Sequence, residues 1–301
     1  MKDQNVGDTR GYLKYHLLET LVREVPTVDR LTILWMLTPS DTSNDGNVHL
    51  RPHAAAESLA DFLAARRGPE DRAVRHMREY FAQQGITYHP HGDEPPYFDR
   101  STRDAYFRDI PQEHLDTAVV FLDPDNGLTR NRPSDKHVGM AELKALYGRL
   151  GVGSILVLIQ FQHRKPDFWN TWGAMLQAEL EAPVRWVSAP LVAFYVMPKG
   201  DVSSEGVDGA LHRVADSGRS CRFGSVAGAV PALVTAAPDT PADFEDMPAG
   251  GPDPANACPN CGATPMAPAD GMGRWCPRCD WSWMVGREKF GRKLSTSFSD
   301  D

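Results

Sequence analysis

Two kinds of hydrophobic pattern alternate along the first three quarters of the chain, and they predict its strands and helices. A run of consecutive apolar residues is typical of a strand that is covered on both faces. Such runs predict strands at 31–37, 118–122, 154–160, 184–188 and 191–197, with an edge strand at 220–226. Apolar residues three or four positions apart predict helices at 12–25, 140–150, 166–181 and 206–217, and two more helices within 54–84. Residues 89–98 are predicted to be a loop.

The order of these elements predicts the fold class. Strands that alternate with helices favour an α/β protein with a doubly wound, mostly parallel, Rossmann-like sheet over residues 1–235. The last two long strands are separated by a few residues, which is too short for a crossover helix, so they are expected to form an antiparallel final strand pair.

The C-terminal part has a different composition. Residues 236–257 are rich in Pro, Ala and Asp and carry little to bury, so they predict a disordered linker. Residues 258–293 follow with two C-x-x-C pairs, a spacing that predicts a small zinc ribbon with one structural Zn²⁺. The four predicted ligands are Cys258, Cys261, Cys276 and Cys279. The basic residues of this tail favour contact with nucleic acid or with a protein partner.

Composition limits the class of protein further. The 301 residues carry a net charge of −8 and are 41% hydrophobic, as in a soluble globular protein. The first residues are polar, and no apolar run approaches the length of a membrane span, so we expect a cytoplasmic protein without a membrane partner. The net charge does not exclude a local basic groove for nucleic acid.

Polar residues follow three of the predicted strands and suggest a common site. The central strand runs into Asp123-Pro124-Asp125-Asn126, the first strand ends before Thr38, and the next strand ends at Gln160 with His163 close behind. Ligands of open α/β sheets bind at the carboxyl ends of strands. The loop after Thr38 offers Asp41, Asn44, Asp45 and Gly46 to a nucleotide-like cofactor, although an ordinary surface loop explains it too.

Several of these motifs resemble an uncharacterised family of bacterial and phage-borne proteins. Gly7-Asp8 precedes a helix with Lys14-Tyr15, Thr38-Pro39 follows the first strand, and residues 123–127 end the central one. The family's activity is not part of the resemblance. From periodicity alone, Lys14 and His16 lie off the apolar stripe of their helix, which indicates either a solvated face or a ligand contact.

A more distant resemblance is to the S-adenosylmethionine-dependent adenine N6 methyltransferases of ribosomal RNA. These enzymes end a buried strand with (Asp/Asn)-Pro-Pro-(Tyr/Phe), which Asp123-Pro124 matches in its first half; the second Pro and the aromatic residue are absent here. The resemblance implies a methyltransferase-like enzyme that acts on an amino group of nucleic acid or a nucleotide. Its catalytic candidates are Asp123, Pro124, Asp125, Asn126 and His163. Its candidates for binding S-adenosylmethionine are Asp8, Lys14, Thr38, Asp41, Asn44, Asp45, Gly46 and Gln160.

Two other functions fit the same residues. Asp123, Asp125 and Asp45 could bind Mg²⁺ through oxygen atoms, with His163 or Lys165 assisting, in a phosphodiesterase or nuclease that acts in phage defence. A sheet without a glycine-rich loop after its first strand also suits a non-enzymatic adaptor that binds nucleic acid or a protein.

Overall fold

The computed structural model describes most of the first 226 residues and three short strands near the C-terminus. The described ranges are 1–7, 9–40, 57–66, 71–161, 168–189, 191–217, 221–226, 267–269, 273–275 and 282–284, together with Gly68. The chain divides into two compact units, Met1–Ala232 and Leu233–Asp301. Within the described residues, no helix is both long and apolar enough to cross a membrane.

The first unit contains a seven-stranded mixed sheet with helices on both faces. Its long strands are β1 (Arg30–Trp35), β2 (Thr87–His91), β3 (Ala118–Asp123), β6 (Ile155–Phe161), β7 (Arg185–Ala189), β8 (Val192–Pro198) and β9 (Arg222–Ser225). Two further strands, β4 (Leu128–Thr129) and β5 (Val138–Gly139), pair with each other in a small parallel sheet. The helices are α1 (Thr9–Glu24), α2 (Glu57–Ala64), α3 (Met77–Gln83), α4 (Arg103–Arg108), α5 (Met140–Arg149), α6 (Phe168–Leu180) and α7 (Ser204–Ser217).

The strand order is β2-β1-β3-β6-β8-β7-β9. The first four of these strands are parallel, and β8 is antiparallel to both of its neighbours, β6 and β7. The α/β class, the mostly parallel sheet and the antiparallel pair of β7 and β8 are therefore confirmed. From β1 the chain runs to β2 on one side and later to β3 on the other, so the winding reverses between β1 and β3. This reversal is the point at which a doubly wound sheet forms its ligand crevice.

The central strands are apolar on both sides because each side faces a separate hydrophobic core. Val119 and Phe121 of β3 belong to one core, whose helical residues come from α1, α2, α3 and α7. Val120 and Leu122 belong to the other, which is formed with α5 and α6. All four side chains are fully buried. This double coverage explains why β3 has no alternation of polar and apolar residues.

One prediction of the local structure was wrong. Residues 89–98 were expected to be loop, but Thr87–His91 form β2, which pairs with β1 in parallel register. This strand lies at the edge of the sheet and is only half-buried, so its sequence, Thr-Tyr-His-Pro-His, carries no apolar run. Pro90 is tolerated there because an edge strand leaves one side of its backbone without ladder hydrogen bonds.

Candidate functional site

The candidate site lies at the carboxyl ends of β1 and β3, where the winding of the sheet reverses. Asp123 is the last residue of β3, and its side chain is 2% exposed. The ammonium group of Lys14, which reaches down from α1, donates a hydrogen bond of 2.9 Å to Asp123 Oδ2. The side chain of Lys14 is 3% exposed, so the interpretation of this residue as part of a solvated helix face was wrong. His16 is buried as well.

Aromatic rings surround the Lys14 ammonium group. Its Nζ lies 4.8 Å from the ring centroid of Tyr15, 5.0 Å from that of Trp35 and 5.7 Å from that of Phe121. Contacts of a cation with ring faces stabilise the charge where water is excluded. Lys14 therefore lies where water has little access, and among the described residues it is the one hydrogen-bond donor to the Asp123 carboxylate.

Met1 occupies the crevice between the two strand ends. Its amino group donates hydrogen bonds to the carbonyl oxygens of Met36, at 2.9 Å, and Asp123, at 3.4 Å. Its own carbonyl oxygen accepts a hydrogen bond of 2.8 Å from the backbone N–H of Thr38. Burial lowers the pKa of the Met1 amino group from 8.0 to about 6, against the attraction of nearby Asp125 and Asp123. The described conformation thus covers Asp123 with the first residue of the chain.

Two lysine ammonium groups and the Met1 amino group surround Asp125, two residues beyond Asp123. The Nζ atoms of Lys2 and Lys136 lie 3.9 Å and 3.8 Å from Asp125 Oδ2, and the Met1 amino group lies 3.9 Å from Oδ1. The carboxylate itself is 9% exposed. This part of the rim therefore carries more positive than negative groups, although the whole chain is acidic.

Gly127 and Gln160 join the turn after β3 to the end of β6. Gly127 has φ +86°, and a Cβ atom at this position would lie 2.5 Å from Gln160 Oε1. The same oxygen accepts a hydrogen bond of 2.6 Å from the backbone N–H of Leu128. Glycine supplies both the left-handed conformation and the space for this contact. The Gln160 amide therefore positions the turn, and its oxygen faces the backbone of that turn.

The structure brings together part of the predicted site. Asp123, Pro124, Asp125, Asn126, Lys14, Thr38 and Gln160 all lie at this one end of the sheet. Thr38 and Gln160, expected to bind a cofactor, make hydrogen bonds to Met1 and Leu128 instead. Asn126 is exposed, and its backbone N–H donates to the Lys136 carbonyl. The remaining predicted residues lie outside the described ranges: Asp8, Asp41, Asn44, Asp45, Gly46, His163, Cys258, Cys261, Cys276 and Cys279.

Sequence reasoning missed Met1, Lys2 and Lys136 as parts of this rim. The signal for Lys136 was its place in the basic segment that directly follows the Asp-Pro turn, whereas nothing in the pattern marked Met1 or Lys2. Among the described residues, no cluster of three His, Cys, Asp or Glu side chains is arranged to hold a metal ion. Asp123 and Asp125 face ammonium groups, which does not favour Mg²⁺ at this place.

Comparisons with known proteins add nothing to this geometry. No family model, no curated protein and no solved structure matches this chain.

Proposed function

We propose that this protein is a methyltransferase-like enzyme that acts on an amino group of nucleic acid or a nucleotide. The observation that carries the proposal is the contact of 2.9 Å between Lys14 and Asp123 at the point where the winding of the sheet reverses. The Asp-Pro strand end carries the resemblance to the adenine N6 methyltransferases, and here it meets Lys14 of α1, which was expected to bind the cofactor.

The part of the site that would bind the substrate amino group is the carboxylate of Asp123. Lys14 donates its hydrogen bond to Oδ2 of Asp123. Oδ1 has no donor among the described residues and can accept a hydrogen bond from a substrate amino group. The adjacent Pro124 carbonyl offers a second acceptor on the same turn. Two acceptors at fixed positions orient the nitrogen lone pair, so these groups contribute through positioning and exclusion of water rather than through a strong base.

In the described conformation, the residues at this end of the sheet do not form a site that fits S-adenosylmethionine. S-adenosylmethionine would supply an electrophilic methyl group, but Met1 fills the crevice between β1 and β3, and Thr38 is bonded to it. A ligand can enter there after Met1 and Lys2 have moved away.

The burial of Asp123 favours a second candidate, a non-enzymatic adaptor. A side chain that is 2% exposed and capped by Met1 does not reach a partner in the described conformation. In that case the Lys14–Asp123 pair would only maintain the arrangement of α1 and β3.

Isothermal titration calorimetry with S-adenosylmethionine separates the two candidates. The enzyme proposal predicts saturable heat with the wild-type protein, and equal heat with Arg108→Gln, which removes an exposed charge from α4. It predicts loss of that heat in Gly127→Val, because the larger side chain displaces Gln160 and the turn after Asp123. The absence of heat with folded wild-type protein would contradict the enzyme proposal and leave the adaptor.

A further inference from the structure

A short basic loop projects beside the candidate site. We define the basic loop as residues 130–137, the connection between β4 and β5. It contains Arg130, Arg132 and Lys136 against one acidic residue, Asp135. Arg130 and Arg132 are exposed, and neither forms an ion pair with another described residue. Exposed arginines that lack a carboxylate partner keep their guanidinium groups available for an anion.

The basic loop is attached firmly at its base. The backbone N–H of Asn126 donates a hydrogen bond of 2.7 Å to the Lys136 carbonyl, and β4 pairs with β5. The buried side chain of Arg103 donates hydrogen bonds to two carbonyl oxygens of the loop, that of Ser134, at 3.0 Å, and that of His137. The arginines of the loop are therefore presented from a fixed support, which lowers the entropy that a ligand must remove on binding.

The loop continues the positive charge of the site. The Nζ atom of Lys136 lies 3.8 Å from Asp125 Oδ2, and the Nζ atom of Lys2 lies 3.9 Å from the same oxygen atom. Cationic groups of Lys2 and of the basic loop thus meet at Asp125. The whole chain has a net charge of −8. An extended anion would therefore be attracted to these cationic groups and repelled by the acidic protein as a whole.

We propose that the basic loop binds the phosphate backbone of single-stranded nucleic acid while one of its bases faces Asp123. The inference rests on the proposed function and names its substrate class. A mononucleotide would occupy one cationic group, whereas the loop adds the exposed Arg130 and Arg132 to Lys136 and so offers several cationic groups to successive phosphates. A single strand also presents a base without the cost of opening a duplex.

Fluorescence anisotropy with a fluorescein-labelled single-stranded RNA of mixed sequence tests this inference. The test variant is Arg130→Gln/Arg132→Gln, which removes two charges from the basic loop. The matched control is Arg108→Gln/Lys144→Gln, which removes two charges on side chains that are 70% and 49% exposed and already paired with Asp109 and Glu179. We expect the test variant to bind at least about tenfold more weakly at low salt. Each lost phosphate contact should also reduce the slope of log K against log salt by about 0.7.

Two results would overturn the inference: no binding by the wild-type protein at low salt, or equal weakening in test and control variants. Calorimetry with S-adenosylmethionine on the Arg130→Gln/Arg132→Gln variant keeps the two proposals apart. If that variant retains the heat of the wild type while RNA binding is lost, both proposals stand. If neither protein gives heat but the RNA result holds, the proposed enzyme fails and the basic loop remains a nucleic-acid contact.

Discussion

At the scale of single residues, Lys14 and Asp123 form a buried ion pair in which water solvates neither charge. Their side chains are 3% and 2% exposed. Removing each charge from water costs several kcal/mol, and their attraction offsets this cost only when the geometry is good and other contacts help. Tyr15, Trp35 and Phe121 supply such contacts to the ammonium group. Two apolar side chains could fill this space without an electrostatic cost, so the pair indicates a use beyond stability.

The first prediction concerns the coupling of this pair. Lys14→Met should lower the free energy of unfolding by about 3–5 kcal/mol, because it leaves the Asp123 carboxylate buried without a partner. Asp123→Leu should cost a similar amount. The double variant should cost clearly less than the sum of the two, since it removes both charges together. Urea denaturation followed by circular dichroism measures all three.

The exposed pair of Arg108 and Asp109 provides the control for this cycle. Its side chains are 70% and 59% exposed, although its contact, at 2.9 Å, is as short. Breaking it should change the free energy of unfolding by less than about 1 kcal/mol, because water screens both charges. Additive losses at Lys14 and Asp123 would contradict the view that they act as one unit.

At the scale of elements, the turn after β3 determines where the site residues lie. Gly127 has a positive φ, and its α-carbon faces the Gln160 amide, which in turn holds Leu128. This one contact joins the turn to the end of β6. The connection of the turn to β6 at this point therefore depends on a residue without a side chain.

The second prediction uses two glycines. Gly127→Ala should lower the free energy of unfolding by about 2 kcal/mol or more, because φ is +86° and the new Cβ would displace Gln160 Oε1. Gly148→Ala is the control: it lies in α5, and its Cβ would meet no atom within 4 Å. That change should stabilise the protein by up to about 1 kcal/mol, as expected for alanine in a helix. Equal effects at the two positions, measured by urea denaturation, would show that the turn contact is unimportant.

The elements also show what the sequence could and could not predict. The central strands were predictable because double coverage leaves continuous apolar runs, and Asp123-Pro124 was predictable as a strand end with a turn. The strand β2 was not, because an edge strand needs no apolar run. The burial of Lys14 was not predictable either, because its partner Asp123 lies 109 positions away along the chain. The spacing of apolar residues within α1 carries no information about that partner.

At the scale of the whole molecule, the chain consists of two compact units. Met1–Ala232 contains two hydrophobic cores, one on each face of its sheet. In Leu233–Asp301 the structure describes three antiparallel strands, β10 (Ala267–Ala269), β11 (Gly273–Trp275) and β12 (Ser282–Met284). Strands of three residues bury little surface, so a unit of this kind needs a further stabilising element. The four cysteines predicted to bind zinc would supply it.

The last prediction is therefore that zinc stabilises the second unit and leaves the first unchanged. We expect the purified full-length chain to contain about one Zn²⁺, as a four-cysteine site requires. A chelator should abolish hydrogen-exchange protection in peptides from 258–293 and leave β1, β3 and β6 protected. Cys276→Ser/Cys279→Ser should lose the metal. Cys221→Ser is the matched control and should keep it: burial raises the pKa of the Cys221 thiol to about 11, so it stays protonated and is a poor ligand. Full zinc content in the Cys276→Ser/Cys279→Ser variant would contradict the predicted ligand set, because a tetrahedral site cannot lose two of its four thiolates and bind the metal unchanged.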